Sequence, residues 1–176
     1  MTVSLIVTLI GTDRPGLVNT VAERAAACGA NWLESSMAQL AGKFAGIVRL
    51  EVAEADAAGL ESALRGLETQ GLRLNIERAE HAAPAGAPRV TRMALVGHDR
   101  PGIVREISAA LARHGASISK LETACESASF SGEPLFRATL EVELPATVAP
   151  ASLQAELEKL ANELMVDLNL EGQAGN

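Results

Sequence analysis

Two stretches of this chain carry residues suited to holding a small anion. Gly11-Thr12-Asp13-Arg14-Pro15-Gly16-Leu17-Val18 recurs 86 residues later as Gly97-His98-Asp99-Arg100-Pro101-Gly102-Ile103-Val104. After each copy, apolar residues fall at helical spacing: Leu17, Val18, Val21, Ala25 and Cys28 in the first, Ile103, Val104, Ile107 and Leu111 in the second. A helix start with free amides and a partial positive charge suits a carboxylate or another small anion. Asp13 and Asp99 are expected to cap these helices by accepting from first-turn amides. Pro15 and Pro101 fit the first turn because proline has no amide to lose. Gly11 and Gly97 should permit a tight exit from the preceding strand. Gly16 and Gly102 should leave backbone N–H groups open to approach. The competing interpretation is a well-made strand-to-helix turn that duplication alone has preserved.

Other reactive groups add little. His98 stands where the first copy has Thr12, and it can be a loop residue, a ligand contact or a titrating group. No serine or cysteine motif accompanies it. His81, His98 and His114 lack metal-ligand spacing, so no metal is expected. Cys28 and Cys125 are not repeat equivalents, make neither a disulfide framework nor a zinc site, and are expected to pack in the interior. Arg14 and Arg100 have the chemistry of carboxylate binders, but backbone amides are the better donors at a helix start. With neither a nucleophile–base pair nor a metal site, no enzymatic activity and no cofactor are expected.

The elements that position these loops read out in the same order twice. Residues 4–10 and 91–96 form short strands rich in branched side chains, each leading into a loop and then a helix. In the first copy, residues 34–40 make a second strand, 41–43 a turn, and alternating Phe44, Gly46, Val48, Leu50 and Val52 a third strand. Asp56 opens a helix with Leu60, Ala63, Leu64 and Leu67 on one side, Gly71 stops it, and Leu72, Leu74 and Ile76 form a fourth strand. Trp32 should point into the core, opposite Asn31. The second copy repeats this with strands at 118–125, 136–144 and 166–170, and a helix carrying Leu153, Leu157, Leu160 and Leu164. Its second hairpin connection, Ser127 to Pro134, is six residues longer. The expected fold is therefore α+β: two βαββαβ domains, at 1–80 and 90–172, with a Pro/Ala-rich linker at 81–89. Each should be an antiparallel sheet with its helices on one face, and the halves should pack side by side.

Composition narrows the function classes. The chain is 48% hydrophobic, with no apolar run near the roughly 20 residues that span a bilayer. No membrane segment or signal peptide is visible, and a cytoplasmic location is expected. The net charge of −7 is spread over both halves, and aromatics make up 2%. A protein without a basic face or stacking rings is poorly equipped for nucleic acid, so no direct contact with DNA is expected.

The doubled βαββαβ order resembles the ACT domain, with Asp-Arg-Pro-Gly at its first strand–helix turn and Gly-Ala-Asn at the next strand. That is a small-molecule-binding regulatory module tied to amino-acid metabolism. A tandem with a short linker and no attached enzyme resembles the glycine cleavage system transcriptional repressor family. The resemblance implies a ligand loop at Gly11–Val18 and Gly97–Val104, with a polar partner at Asn31 and, as the shorter counterpart, Ser117. It also implies a small amino acid, glycine foremost, as signal and a transcriptional activator as protein partner, with a homo-oligomer possible. Two alternatives stay open: a bare assembly module, and a regulatory subunit of an amino-acid-metabolism enzyme.

Overall fold

The computed structural model describes residues 1–79, 89–127, 134–146, 148 and 150–171. The predicted linker, apart from Arg89, and the interior of the longer hairpin connection lie outside these residues. The chain divides into two compact units, Met1–Ala83 and Pro84–Asn176. The first contains β1 (Thr2–Thr12), α1 (Leu17–Ala27), β2 (Asn31–Leu40), β3 (Lys43–Ala53), α2 (Ala57–Arg65) and β4 (Leu72–Arg78). The second contains β5 (Arg89–His98), α3 (Ile103–Arg113), β6 (Ser117–Ser127), β7 (Pro134–Leu144), α4 (Pro150–Leu164) and β8 (Val166–Glu171). Each unit is a four-stranded antiparallel sheet, in the orders β2-β3-β1-β4 and β6-β7-β5-β8. This is the α+β, ferredoxin-like architecture expected from the repeated pattern.

The pleat decides where each core lies. Successive strand residues point to opposite faces, so Leu5, Val7 and Leu9 of β1 share a face with Val48, Leu50 and Val52 of β3. The apolar stripes of the two helices close over that face, through Leu17, Val21 and Ala25 of α1 and Ala57, Leu60 and Leu64 of α2. Leu67, just past α2, is fully buried with them. In the second unit Met93, Leu95, Ala138, Leu140 and Val142 meet Ile107, Leu111, Leu157 and Leu164 in the same way. Burying one such leucine contributes roughly 1.5–3 kcal/mol, so the helix stripe holds each unit shut.

Where structure and sequence differ, the causes are local. β2 begins at Asn31 rather than Glu34, because a bulge between Trp32 and Glu34 interrupts the alternation. Trp32 nonetheless packs against the core, as expected. An equivalent irregularity lies between Ile118 and Lys120. Cys28 is half-buried, but Cys125 is exposed, which corrects the expectation of interior packing. It sits on β6, an edge strand exposed from Ser119 to its end.

Gly11 and Gly97 also have a different role from the one expected. Both lie inside their strands, paired with Leu72 and Val166, the first residues of β4 and β8. A Cβ on Gly11 would come within 2.8 Å of Leu72 Cδ2, and one on Gly97 within 3.0 Å of the Val166 Cα. The glycines allow close packing rather than a turn. Gly97→Ala is expected to cost about 1–3 kcal/mol, because the β-branched Val166 and its backbone cannot swing away. Gly11→Ala should cost less, since Leu72 can change rotamer; urea-unfolding midpoints of the two variants check the order.

Candidate functional site

Each repeated loop leaves the end of a central strand and turns into a helix through a left-handed glycine. Gly16 has φ 88° and Gly102 φ 99°, and these glycines are the residues that precede the first helical turn. A side chain in that conformation costs roughly 1–2 kcal/mol. The first bond of α1 runs from the Thr20 N–H to the Gly16 carbonyl at 2.9 Å, so by helix geometry the amides before Thr20 have no intrahelical acceptor. A Cβ on Gly16 would meet nothing within 4 Å. Its glycine is therefore required by the backbone and not by clearance over the amides.

The expected aspartate caps are absent, because the helices start after the left-handed glycine, three residues beyond each aspartate. Neither α1 nor α3 has a side-chain cap, and Pro15 and Pro101 lie outside the helices. Asp13 instead ties the loop to the β2–β3 hairpin. Its N–H donates to the Gly42 carbonyl at 3.0 Å, and its carboxylate accepts from Gln39 Nε2 at 2.6 Å. Lys43 Nζ adds a bond to Thr12 Oγ1 at 3.0 Å. In the second unit the Asp99 N–H donates to the Pro134 carbonyl at 3.1 Å. Cys125, the repeat equivalent of Gln39, places its thiol against the Asp99 carboxylate. With the aspartates drawn aside, the first-turn amides are left without a side-chain acceptor.

The remaining predicted residues separate into those at the loop and those far from it. Leu17 and Ile103 are buried core residues, so only their backbones could meet a ligand, whereas Val18 and Val104 are exposed beside the loop. Thr12, Pro15, Pro101 and His98 are exposed. Arg14 donates to Gln70 Oε1 at 3.3 Å, and Arg100 is bound to Glu106 at 3.1 Å. Asn31 is not brought to its own loop. It pairs with Glu51, which pairs with Ser4, while the loop follows Thr12. Those eight residues of strand put the two ends about 26 Å apart. Ser117, level with Glu143 and Val90, stands equally far from the loop after His98.

Two positions that sequence reasoning passed over make the loops unequal. Glu106 occupies the first turn of α3, where its carboxylate is 3.1 Å from Arg100 and 3.5 Å from Arg105. Its repeat equivalent is Thr20, and α1 has no acidic residue in its first turn. An acid at that position caps no amide of α3 but places a negative charge, shared with the two arginines, beside its positive end, where the first loop has none. Carrying the 86-residue offset through the helix would have revealed both this pair and Gln39–Cys125. Among the described residues, no group of three or more His, Cys, Asp or Glu is arranged to hold a metal. Also among them, no helix is long and apolar enough to cross a membrane.

Two ferredoxin-like units in tandem, each presenting the same uncapped loop-to-helix turn, define a duplicated small-domain protein. The ACT-domain family model matches residues 4–77 and 93–171. The chain belongs to the ACT-domain family. It is similar to the glycine cleavage system transcriptional repressor of Escherichia coli (strain K12), at 26% identity over 170 residues, 96% of this chain and 87% of that protein. A crystal structure of an unknown protein from Galdieria sulphuraria superposes with a TM-score of 0.81 at 34% identity, covering 97% of this chain and 98% of that one. Another, assigned to a glycine cleavage system transcriptional repressor, gives a TM-score of 0.72 at 20% identity, with 97% of each chain covered, and shares the fold.

The clamp has a chemical signature. Although Cys125 as a residue is exposed, lost hydration at its thiol, with the Asp99 charge and hydrogen bond, pushes its pKa up. A protonated thiol is a poor nucleophile. Asp99→Asn removes the charge, so Cys125 is expected to ionise more readily and to alkylate faster near pH 8. Iodoacetamide labelling rates, read by mass spectrometry at each cysteine, check this, with Cys28 as the internal reference.

Proposed function

We propose that this chain is a non-enzymatic, amino-acid-responsive regulator of the cytoplasm, built from ACT modules at 1–80 and 90–172, that acts on transcription through a protein partner. The uncapped first turn of α1, held open by the clamp on Asp13, carries the proposal. Membership of the ACT family and similarity to a transcriptional repressor support it. The ligand is a small amino acid, glycine foremost, with its carboxylate on the amides that follow Pro15. Loop carbonyls are the candidate acceptors for its ammonium group. Asn31 joins the site only where a neighbouring copy of the module brings the start of its β2 to the loop. The second loop, Gly97 to Val104, is the weaker site because of Glu106.

The energetics set the scale of the test. At a ceiling of about −1.5 kcal/mol per heavy atom, glycine gains about −7.5 kcal/mol, which is micromolar binding at best. Saturation at about 100 times Kd stabilises the folded protein by roughly 2.7 kcal/mol. That raises Tm by about 5–10 °C for a chain of this size. A thermal-shift series with the common amino acids checks it. Thr20→Glu, which copies Glu106 into the first loop, should remove most of the shift while the protein stays folded. If no amino acid at tens of millimolar moves Tm, the sensor reading fails and the assembly-module alternative replaces it.

The partner is a protein, such as a transcriptional activator, rather than DNA. A net charge of −7 opposes approach to a polyanion. Gel shifts with the purified chain alone should show no retardation of duplex DNA. Tight, steeply salt-dependent binding would overturn this part.

A further inference from the structure

The helix-free face of the first sheet is a surface that nothing described so far uses. On it Ile10 is 40% and Ile47 45% exposed, with Ile6 half-buried beside them. Ile10 and Ile47 line a concavity of about 710 Å³ that reaches Thr8, Asn75 and Arg73, and Ile6 lines a smaller neighbouring one with Ile47 and Arg49. The registers arrange the face in rows across the strands. Arg49, Ile6 and Glu77 form one row, Ile47, Thr8 and Asn75 the next, and Ala45, Ile10 and Arg73 the third. In the second unit Arg92 and Thr139 replace Ile6 and Ile47, while Val96 keeps the place of Ile10, so the second sheet's face is polar at two of these three positions.

We propose that this face docks on the same face of a second copy of the chain, as a two-fold stacked pair of sheets. The arrangement of side chains is self-complementary about one axis. A two-fold axis lying in the interface, across the strands and through the middle row, exchanges the two outer rows. Ile6 then meets Ile10 of the second copy, and Ile47 meets its own counterpart. Arg73 meets Glu77 of the second copy, and Glu77 meets Arg73. Within one chain Arg73 has no ion pair among the described residues, and Glu77 accepts only from Asn75 at 2.7 Å. Arg49 is already bound to Glu34 at 3.4 Å and to Ser4, so it leaves no unpaired charge in the interface. Sheets stack about 10 Å apart, a gap that arginine and glutamate can bridge together. The other in-plane axis, along the strands, would set Glu34 against Glu77 and is disfavoured.

The size is adequate. Strands of 11, 10, 11 and 7 residues, at about 3.3 Å per residue and about 4.8 Å apart, give a footprint near 620 Å² per copy. Specific interfaces begin at about 600 Å² per partner. The proposal is independent of amino-acid binding, so the test uses the full chain without added ligand.

Sedimentation velocity or light scattering over a concentration series should show a reversible dimer. Ile47→Arg puts two cations against each other on the axis and should leave only monomer, with circular dichroism unchanged because Ile47 is exposed. Arg73→Glu should weaken the dimer about tenfold or more, and the swap Arg73→Glu with Glu77→Arg should restore it. Val96→Arg, on the second sheet, should leave it intact. A chain that stays monomeric at every concentration overturns the proposal. So does a dimer that survives Ile47→Arg, fails to recover in the charge swap, or breaks with Val96→Arg.

Discussion

The geometry of each unit depends on a central strand that must be approached closely from one side near its end. β1 pairs with β3 along its whole length and with β4 from Leu5 to Gly11. At Gly11 the start of β4 lies so near that a Cβ would displace the Leu72 side chain, and Leu72 follows directly on the left-handed Gly71 that ends the second helical segment. The strand therefore carries its backbone to Thr12 and releases it beside the β2–β3 turn. There the Asp13 amide and carboxylate are both taken up by the hairpin. The helix starts only after Gly16 has reversed the chain. The uncapped amides thus result from backbone packing upstream, without any side chain dedicated to them.

The fold was legible because its signals agree at every level. Leu5, Val7 and Leu9 alternate, Leu60, Leu64 and Leu67 share a helical side, and Gly71 stops the helix where its positive φ is needed. The 86-residue repeat then supplied the topology a second time. The site was less legible. Asp followed by Arg-Pro-Gly reads as a cap because aspartate and proline both favour helix starts. Which residue begins the helix depends on the sign of φ at Gly16, and glycine accepts either sign. The separation of Asn31 from the loop was hidden for another reason. A strand–helix–strand crossover returns the chain to the end at which it began, so residues near in a motif lie at opposite ends of the sheet.

Duplication lets the two loops be compared. The shared backbone features remain, namely Gly16 and Gly102 at positive φ and the aspartate amide on the hairpin end, while the chemistry around them diverges. Thr20 answers to Glu106, Gln39 to Cys125 and Thr12 to His98. In the second unit an acid, tied down by Arg100 and Arg105, supplies the negative charge that a helix start attracts. In the first unit that charge is missing. The first loop is the one whose helix start has no acid in its first turn.

The same asymmetry extends to the other face of each sheet. Ile6, Ile10 and Ile47 leave the first sheet apolar where helices do not cover it, while Arg92 and Thr139 make the second polar at two of those positions. Apolar surface left in water is a standing cost of roughly 25 cal/mol per Å². A broad patch of it usually marks a binding surface. Both the loop without an acid in its first helical turn and the apolar face belong to the first unit, at the end and on the back of one sheet. A partner stacked on that face would press on β1 and β3, the strands whose ends hold the loop and its hairpin clamp.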